Sequence, residues 1–369
     1  MTRAARPRGA AAEGAATAAG PALGKISPEA FERIIAPHLG AARAEVVVGP
    51  RAGSDCGVVR IGGGRVMAIT SDPLSIVPAL GLEASARMAC HLIASDLWTS
   101  AIPPSWASVD LNLPPHLSDE DLARYWRAMS AAWAALGVAV VTGHTGRYPG
   151  CDLSIVGAAT LIGIGEESGY LTPAEARPGD RVLVTKGCAI EATAIAAHLM
   201  PERIEARLGP AGLERARAWV HDVSVVADCR ALLRTGVRER GVTALHDATE
   251  GGVFGGLLEL ARAGPHDLRV ERARIPLAAE AVAACEAWGG IDPYWTLSEG
   301  TLIATVRPEH VPAALAALER EGIAAAEVGE IVPGSGRLLV LERDGSVATI
   351  TEPAPDPYWE AYALAVGQA

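Results

Sequence analysis

The chain predicts an α+β fold arranged as two domains. Three observations support this. Strand-like and helix-like stretches are mixed without strict alternation, which argues against a doubly wound parallel sheet. Each half runs strand, helix, strand with acidic motifs attached. Between the halves lies a cluster of breakers, Thr172-Pro173 and Arg177-Pro178-Gly179-Asp180, which marks a boundary. At 369 residues the chain has room for two domains of ordinary size. The expected division is a disordered tail over 1–25, a first domain over 26–172, a second over 173–347 and a tail over 348–369.

The elements follow in order. Ser27-Pro28-Glu29 reads as an N-cap with proline at the first helical position, opening a short helix over 30–39. Residues 46–48 are a short strand. Two β-branched runs, 58–61 and 66–70, flank Gly62-Gly63-Gly64 and predict a hairpin. Helix periodicity covers 82–95, a strand 107–113, and a capped helix runs from Ser118 to about 136. Strands are expected over 138–141 and 153–164. In the second half the strands are 181–185, 242–245, 302–306 and 326–331. Its helices are 191–199, 253–263 and 310–321. The segment after 347 carries Pro353, Pro355 and Pro357 and reads as a tail.

Composition excludes several classes. There are 32 basic and 43 acidic residues, a net charge of −11, with no basic stripe and 4% aromatics. Nucleic acid is therefore a poor partner. No apolar run reaches the length of a membrane span. Six scattered cysteines without a CxxC pair point away from zinc or dithiol chemistry and toward a reducing, cytoplasmic compartment. The first 24 residues are rich in Ala and Gly and lack the apolar core of a secretory signal. Only Lys25 and Lys186 are lysines, which leaves Lys186 as the one lysine inside the expected folded region.

Four acidic motifs carry the chemistry: Gly53-Ser54-Asp55-Cys56-Gly57, Thr70-Ser71-Asp72, Ser95-Asp96-Leu97 and His246-Asp247-Ala248-Thr249-Glu250-Gly251-Gly252. Aspartate is a poor interior residue in strands and helices, so each is expected at an element end. Gathered carboxylates need a cation among them. Hard oxygen donors suit Mg²⁺, which usually also holds phosphate. One such aspartate alone reads as a turn or cap residue; four in sequence point to a site. Gly251 and Gly252 precede an expected helix, where their N–H groups would meet phosphate oxygens. His144 and Lys186 are candidate phosphate or substrate contacts, each balanced by an ordinary structural role. Neither a Walker-A loop nor a GxGxxG opening a helix occurs.

These motifs, with Thr142-Gly143-His144-Thr145 and Pro178-Gly179-Asp180-Arg181, resemble those of the aminoimidazole-ribonucleotide-synthetase superfamily. That superfamily includes selenophosphate synthetase, thiamine-monophosphate kinase and the hydrogenase-maturation carbamoyl dehydratase. The resemblance spans roughly residues 45–335 and is placed nearest the last branch. It implies an N-terminal α/β domain whose mixed sheet forms a homodimer, followed by a C-terminal α+β domain. It further implies ATP in a cleft between the N-terminal domains of the dimer, with Mg²⁺ on Asp55, Asp72, Asp96 and Asp247. Gly143, Thr145, Thr249, Gly251 and Gly252 are the candidate cofactor-binding residues beside these aspartates, and His144 and Lys186 the candidate catalytic ones. The chain departs from its relatives in having no cysteine before Cys56 and none at its C-terminal end. The implied activity is γ-phosphoryl transfer to an oxygen of a small-molecule or protein acceptor. A small-molecule kinase and a non-catalytic nucleotide-binding protein are the alternatives.

Overall fold

The computed structural model describes residues 23–51 and 53–367. The first half opens with α1 (Pro28–Ile34) and the strands β1 (Val46–Val48), β2 (Gly57–Gly62) and β3 (Arg65–Leu74). It continues through α2 (Leu82–Thr99), β4 (Trp106–Leu113), α3 (Asp119–Ala135), β5 (Ala139–Arg147) and β6 (Gly157–Glu166). The second half runs β7 (Arg181–Thr185), α4 (Ile190–Leu199), α5 (Pro201–Ala218), α6 (Val226–Leu233), β8 (Val242–Ala248), α7 (Gly252–Ala263) and β9 (Asp267–Glu271). It ends with α8 (Ala279–Ala287), β10 (Thr301–Val306), α9 (Val311–Arg320), β11 (Ala325–Val332), β12 (Leu338–Leu341), β13 (Val347–Ile350) and α10 (Tyr358–Ala365).

Each half builds one sheet. The first has six strands in the order β1-β2-β3-β6-β4-β5, and the second seven in the order β13-β12-β9-β11-β7-β10-β8. Both are mixed: β4 and β5 are parallel, as are β9 and β12, and the other neighbours are antiparallel. The two-domain α+β expectation holds. The glycine hairpin is present, with β2 and β3 paired from Gly57–Ile69 to Gly62–Arg65. Both expected N-caps form: the Ser27 and Ser118 hydroxyls accept from the N–H groups of Ala30 and Asp121. α1 is shorter than expected because Pro37 cannot continue it.

α2 holds the halves together. One side packs on β3, β6 and α3, the other on β8 and α6. It is accordingly buried nearly all round: Ala86, Cys90, Ile93, Ala94 and Leu97 enter the first core, while Met88 enters the second. Ser95 on this helix accepts a hydrogen bond from the Val225 N–H at 3.0 Å. β8, an edge strand by pairing, is buried at every residue because α2 and α7 cover it. Among the described residues no helix is long and apolar enough to cross a membrane.

Both tails need correction. Residues 1–22 lie outside the described part, but Leu23–Lys25 are placed, and Lys25 reaches the second half. The segment after 347 is not a tail. β13 pairs antiparallel with β12, and α10 is anchored by Tyr358, which is 2% exposed and packs edge-on against Trp288.

Gly143 lies in β5 where that strand runs beside Val109 of β4, and a Cβ there would overlap the Val109 carbonyl oxygen. Its side-chain-free backbone is thus needed for strand pairing. Gly143→Ala should lower stability by about 1–3 kcal/mol, as overpacking does. Urea denaturation checks this, with an unchanged midpoint counting against the tight approach.

Candidate active site

Separate segments bring the acidic motifs together at the seam between the halves. Asp55 lies in the turn before β2, Asp72 near the end of β3, Asp96 in the last turn of α2 and Asp247 near the end of β8. Asp72, Asp96 and Asp247 thus lie in the last residues or last turn of their elements, as the sequence predicts. Gly53 permits the approach of the first loop: its φ is +74°, and a Cβ would lie 2.7 Å from the Glu259 carbonyl oxygen on α7.

Short contacts fix the arrangement. Thr70 Oγ1 lies 2.8 Å from the Asp55 carbonyl oxygen and 3.1 Å from the Asp96 carboxyl. The Cys56 thiol donates to the Asp96 carbonyl at 3.0 Å. His246 spans two carboxylates, with Nδ1 2.9 Å from Asp55 and Nε2 2.9 Å from Glu259. Asp247 has both carboxyl oxygens buried without a hydrogen-bond partner, and Glu299 has one.

Crowding of like charge sets the electrostatics. Burial, then Asp247, Asp72 and Asp55, push the Asp96 carboxyl well above its usual range. Burial, opposed by Lys25 and reinforced by Glu250, raises Asp72 to about 6. Burial and Asp55 raise Asp247 to about 7. Burial, with Glu250, Asp72 and Asp356, raises Glu191 to about 8. Asp55 and Glu259 go the other way: burial would raise them, but His246 beside both holds them below the ordinary value. Burial would lower His246, and those two carboxylates keep it well above the ordinary imidazole range.

Lys25 was assigned to a tail by its Ala/Gly-rich surroundings, yet it belongs to the site. Its ammonium donates to Thr249 Oγ1 at 2.8 Å and its backbone N–H to Glu250 at 2.6 Å. The residue as a whole is exposed, while its charged end is crowded by protein. That crowding alone would lower its affinity for a proton. Glu259, Asp96, Asp72 and Glu299 more than compensate and raise it.

The other expected contacts are not gathered here. Gly143, His144 and Thr145 lie on β5, separated from β3 by β6 and β4, hence by about 14 Å at ordinary strand spacing. His144 is exposed, with Nε2 2.7 Å from the Tyr148 hydroxyl. Lys186 is engaged elsewhere, donating to the Ser224 carbonyl at 2.8 Å and Asp228 at 2.9 Å. Gly251 and Gly252 do not offer free N–H groups. Gly251 donates to Asp356 at 2.9 Å and Gly252 to the Thr249 carbonyl at 3.1 Å. Glu191, Glu259, Glu299, Asp356 and His246 escaped sequence reasoning. Only His246 carried a signal, its position beside Asp247.

Comparison with known proteins gives the family and the fold. Residues 53–164 match the N-terminal domain, and 177–340 the C-terminal domain, of AIR synthase related proteins. The carbamoyl dehydratase HypE of Rhizobium leguminosarum bv. viciae is 29% identical over 295 residues, covering 76% of this chain and 78% of that protein. The selenide, water dikinase of Nitratidesulfovibrio vulgaris strain DP4 is 32% identical over 265 residues, covering 69% and 68%. The crystal structure of hydrogenase maturation protein HypE in complex with ATP has a TM-score of 0.61 at 21% identity, covering 89% of this chain and 93% of that one. The fold and these relatives define a two-domain enzyme of the AIR synthase class. This chain belongs to the AIR synthase related family.

The raised carboxyls carry a consequence for stability. Each keeps, when folded, a proton that the unfolded chain sheds near pH 4. Their contribution is therefore complete below that pH and is lost as pH rises through about 6, 7 and 8 for Asp72, Asp247 and Glu191. His246, also raised, acts in the same sense. In EDTA the melting temperature should fall by several degrees between pH 5.5 and 8, and Mg²⁺ should restore it at pH 8. A flat or rising profile in differential scanning fluorimetry would contradict the charge crowding.

Proposed function

We infer that the protein is a Mg²⁺-dependent enzyme that transfers the γ-phosphoryl group of ATP to an oxygen of a small-molecule or protein acceptor. The convergence of Asp55, Asp72, Asp96 and Asp247 from four segments carries this reading. The donor set fits a hard divalent ion. It is mostly carboxyl oxygen, and Asp247 and Glu299 hold buried oxygens with no protein partner. Bound there, Mg²⁺ supplies charge neutralisation for a triphosphate, the main requirement of phosphoryl transfer.

The chain's own residues would do the rest. Thr70 orients Asp96 and the first loop. Lys25 offers a positive charge beside the carboxylates and Thr249 a hydroxyl. The Cys56 thiol is a poor nucleophile: burial, then Asp55, Asp96 and Asp247, push it far up. Lys186, tied to Asp228, positions the Ser224 segment that packs on α2 rather than touching phosphate. Phosphoryl transfer is thus read here as activation of an acceptor oxygen, with dehydration or ligation to follow.

A homodimer completes this reading. β5 is an unpaired edge strand, exposed along nearly its whole length, with Val140 38% and Val141 60% exposed. Such an edge invites pairing with a second copy. Gly143, His144 and Thr145 lie on that edge, so a nucleotide contact by them would be made across the dimer. A cytoplasmic enzyme of this kind needs no nucleic-acid or membrane partner.

Asp72→Asn and Asp96→Asn should each lower ATP turnover by about 100-fold, the scale of losing one group that stabilises developing charge. Circular dichroism should stay unchanged. Turnover is measured as phosphate release, and the fate of the phosphoryl group as phosphoester or inorganic phosphate. Wild-type turnover in both variants rejects the assignment.

A further inference from the structure

His246 brings a nitrogen donor into a cluster otherwise made of oxygens. One donor atom each from Asp55, His246 and Asp247 lies within 4.8 Å of the others. Asp247 is 1% exposed, and neither of its carboxyl oxygens has a hydrogen-bond partner. Leaving such atoms unsatisfied is costly, so an orphaned carboxyl beside two further donors marks a place for a partner the chain does not supply. On the far side of the ring, His246 Nε2 lies 2.9 Å from Glu259.

We propose that Asp55, His246 and Asp247 form a mixed nitrogen–oxygen site for a first-row transition-metal ion, Mn²⁺ or Zn²⁺ in class. The proposal rests on the reading that these aspartates hold a cation, and adds a ligand and a metal preference to it. The geometry suits it. Ligand bonds of about 2.0–2.2 Å put neighbouring donors about 3.0–3.5 Å apart, the shorter value for octahedral and the longer for tetrahedral angles. His246 Nδ1 and Asp55 Oδ2 are 2.9 Å apart. Imidazole suits Zn²⁺ and the two carboxylates suit Mn²⁺, whereas Mg²⁺ favours oxygen and water. Glu259 takes the outer position: it accepts the Nε2–H bond and fixes the tautomer whose Nδ1 lone pair faces the ion. The ion replaces the proton that Nδ1 now shares with Asp55. Without an ion, His246 is a charged tether between the first loop and α7.

Chelator-stripped, nucleotide-free protein is titrated with Mn²⁺ and Mg²⁺, and the Mn²⁺ form is examined by pulsed electron paramagnetic resonance. Mn²⁺ should bind at least about 10-fold more tightly than Mg²⁺ and show coupling to an imidazole nitrogen. Glu259→Ala should weaken Mn²⁺ by about 10–100-fold, as loss of an outer partner does. His246→Gln should remove the nitrogen coupling. Because His246 is buried, the wild-type spectrum and Glu259→Ala decide the matter even if His246→Gln does not fold. Mn²⁺ that fails to bind, binds without nitrogen coupling, or ignores Glu259→Ala overturns the proposal and leaves the tether alone. These readouts omit nucleotide, so failure of the phosphoryl-transfer reading leaves them intact. Failure of this proposal alone leaves Mg²⁺-dependent ATP turnover in place.

Discussion

Buried like charge is the constraint around which this molecule is organised. Carboxyls of Asp55, Asp72, Asp96, Asp247, Glu191, Glu250, Glu259, Glu299 and Asp356 influence one another across the seam between the two halves. Among the described residues the opposing charges that reach them are Lys25 and His246. In a crowded interior each added anion raises the cost of ionising the next. The chain meets that cost in two ways. Some carboxyls are pushed up until protonation becomes easy, and others are held down by the shared imidazolium. Such a site stores an affinity for cations, which a fully paired network would lack.

The same constraint explains why both ends of the described chain fold back over one turn. Lys25 holds Thr249 and Glu250, and Asp356 holds the Gly251 N–H. Asp356 also accepts from the Tyr358 N–H at the start of α10, so one carboxylate joins two helix beginnings. A negative group there is favoured by the dipoles of both. The β8–α7 turn thus receives a cation and an anion from opposite ends of the sequence. The α2 helix supplies the rigid wall against which these contacts are made.

Much of this architecture was legible because it is written locally. Ser27, Ser118 and the glycine hairpin announce their elements through short-range chemistry, and the acidic motifs could be found as clusters of neighbours. What escaped was written over long distance. Glu191, Glu259 and Glu299 are single glutamates in helical or loop sequence, and nothing near them separates a buried carboxyl from a surface one. Lys25 is hidden by composition, although being one of two lysines is a usable sign; Lys186 directly follows the regular strand sequence of β7, and its partner Asp228 is 42 residues away. β12 and β13 were missed despite Asp344-Gly345 between them, a strong hairpin signal. Pro353, Pro355 and Pro357 fall between β13 and α10 and interrupt neither. His144 shows a further kind of limit, since its strand edge acquires meaning only when a second copy is considered.

The thiols narrow what chemistry remains. All six cysteines are unpaired, and five of them are buried. Cys56 is the one inside the first acidic loop, and it is the wrong kind of thiol for covalent work. Its proton is held by burial and by three carboxyls, and its Sγ is committed to the Asp96 carbonyl. A nucleophilic cysteine needs positive surroundings, and these are negative. Cys56 therefore packs and orients the loop. On the phosphoryl-transfer reading the acceptor oxygen must therefore arrive on another molecule, since the buried carboxyls around Cys56, with Glu191 and Glu299 beyond them, leave no nucleophilic thiol in this site.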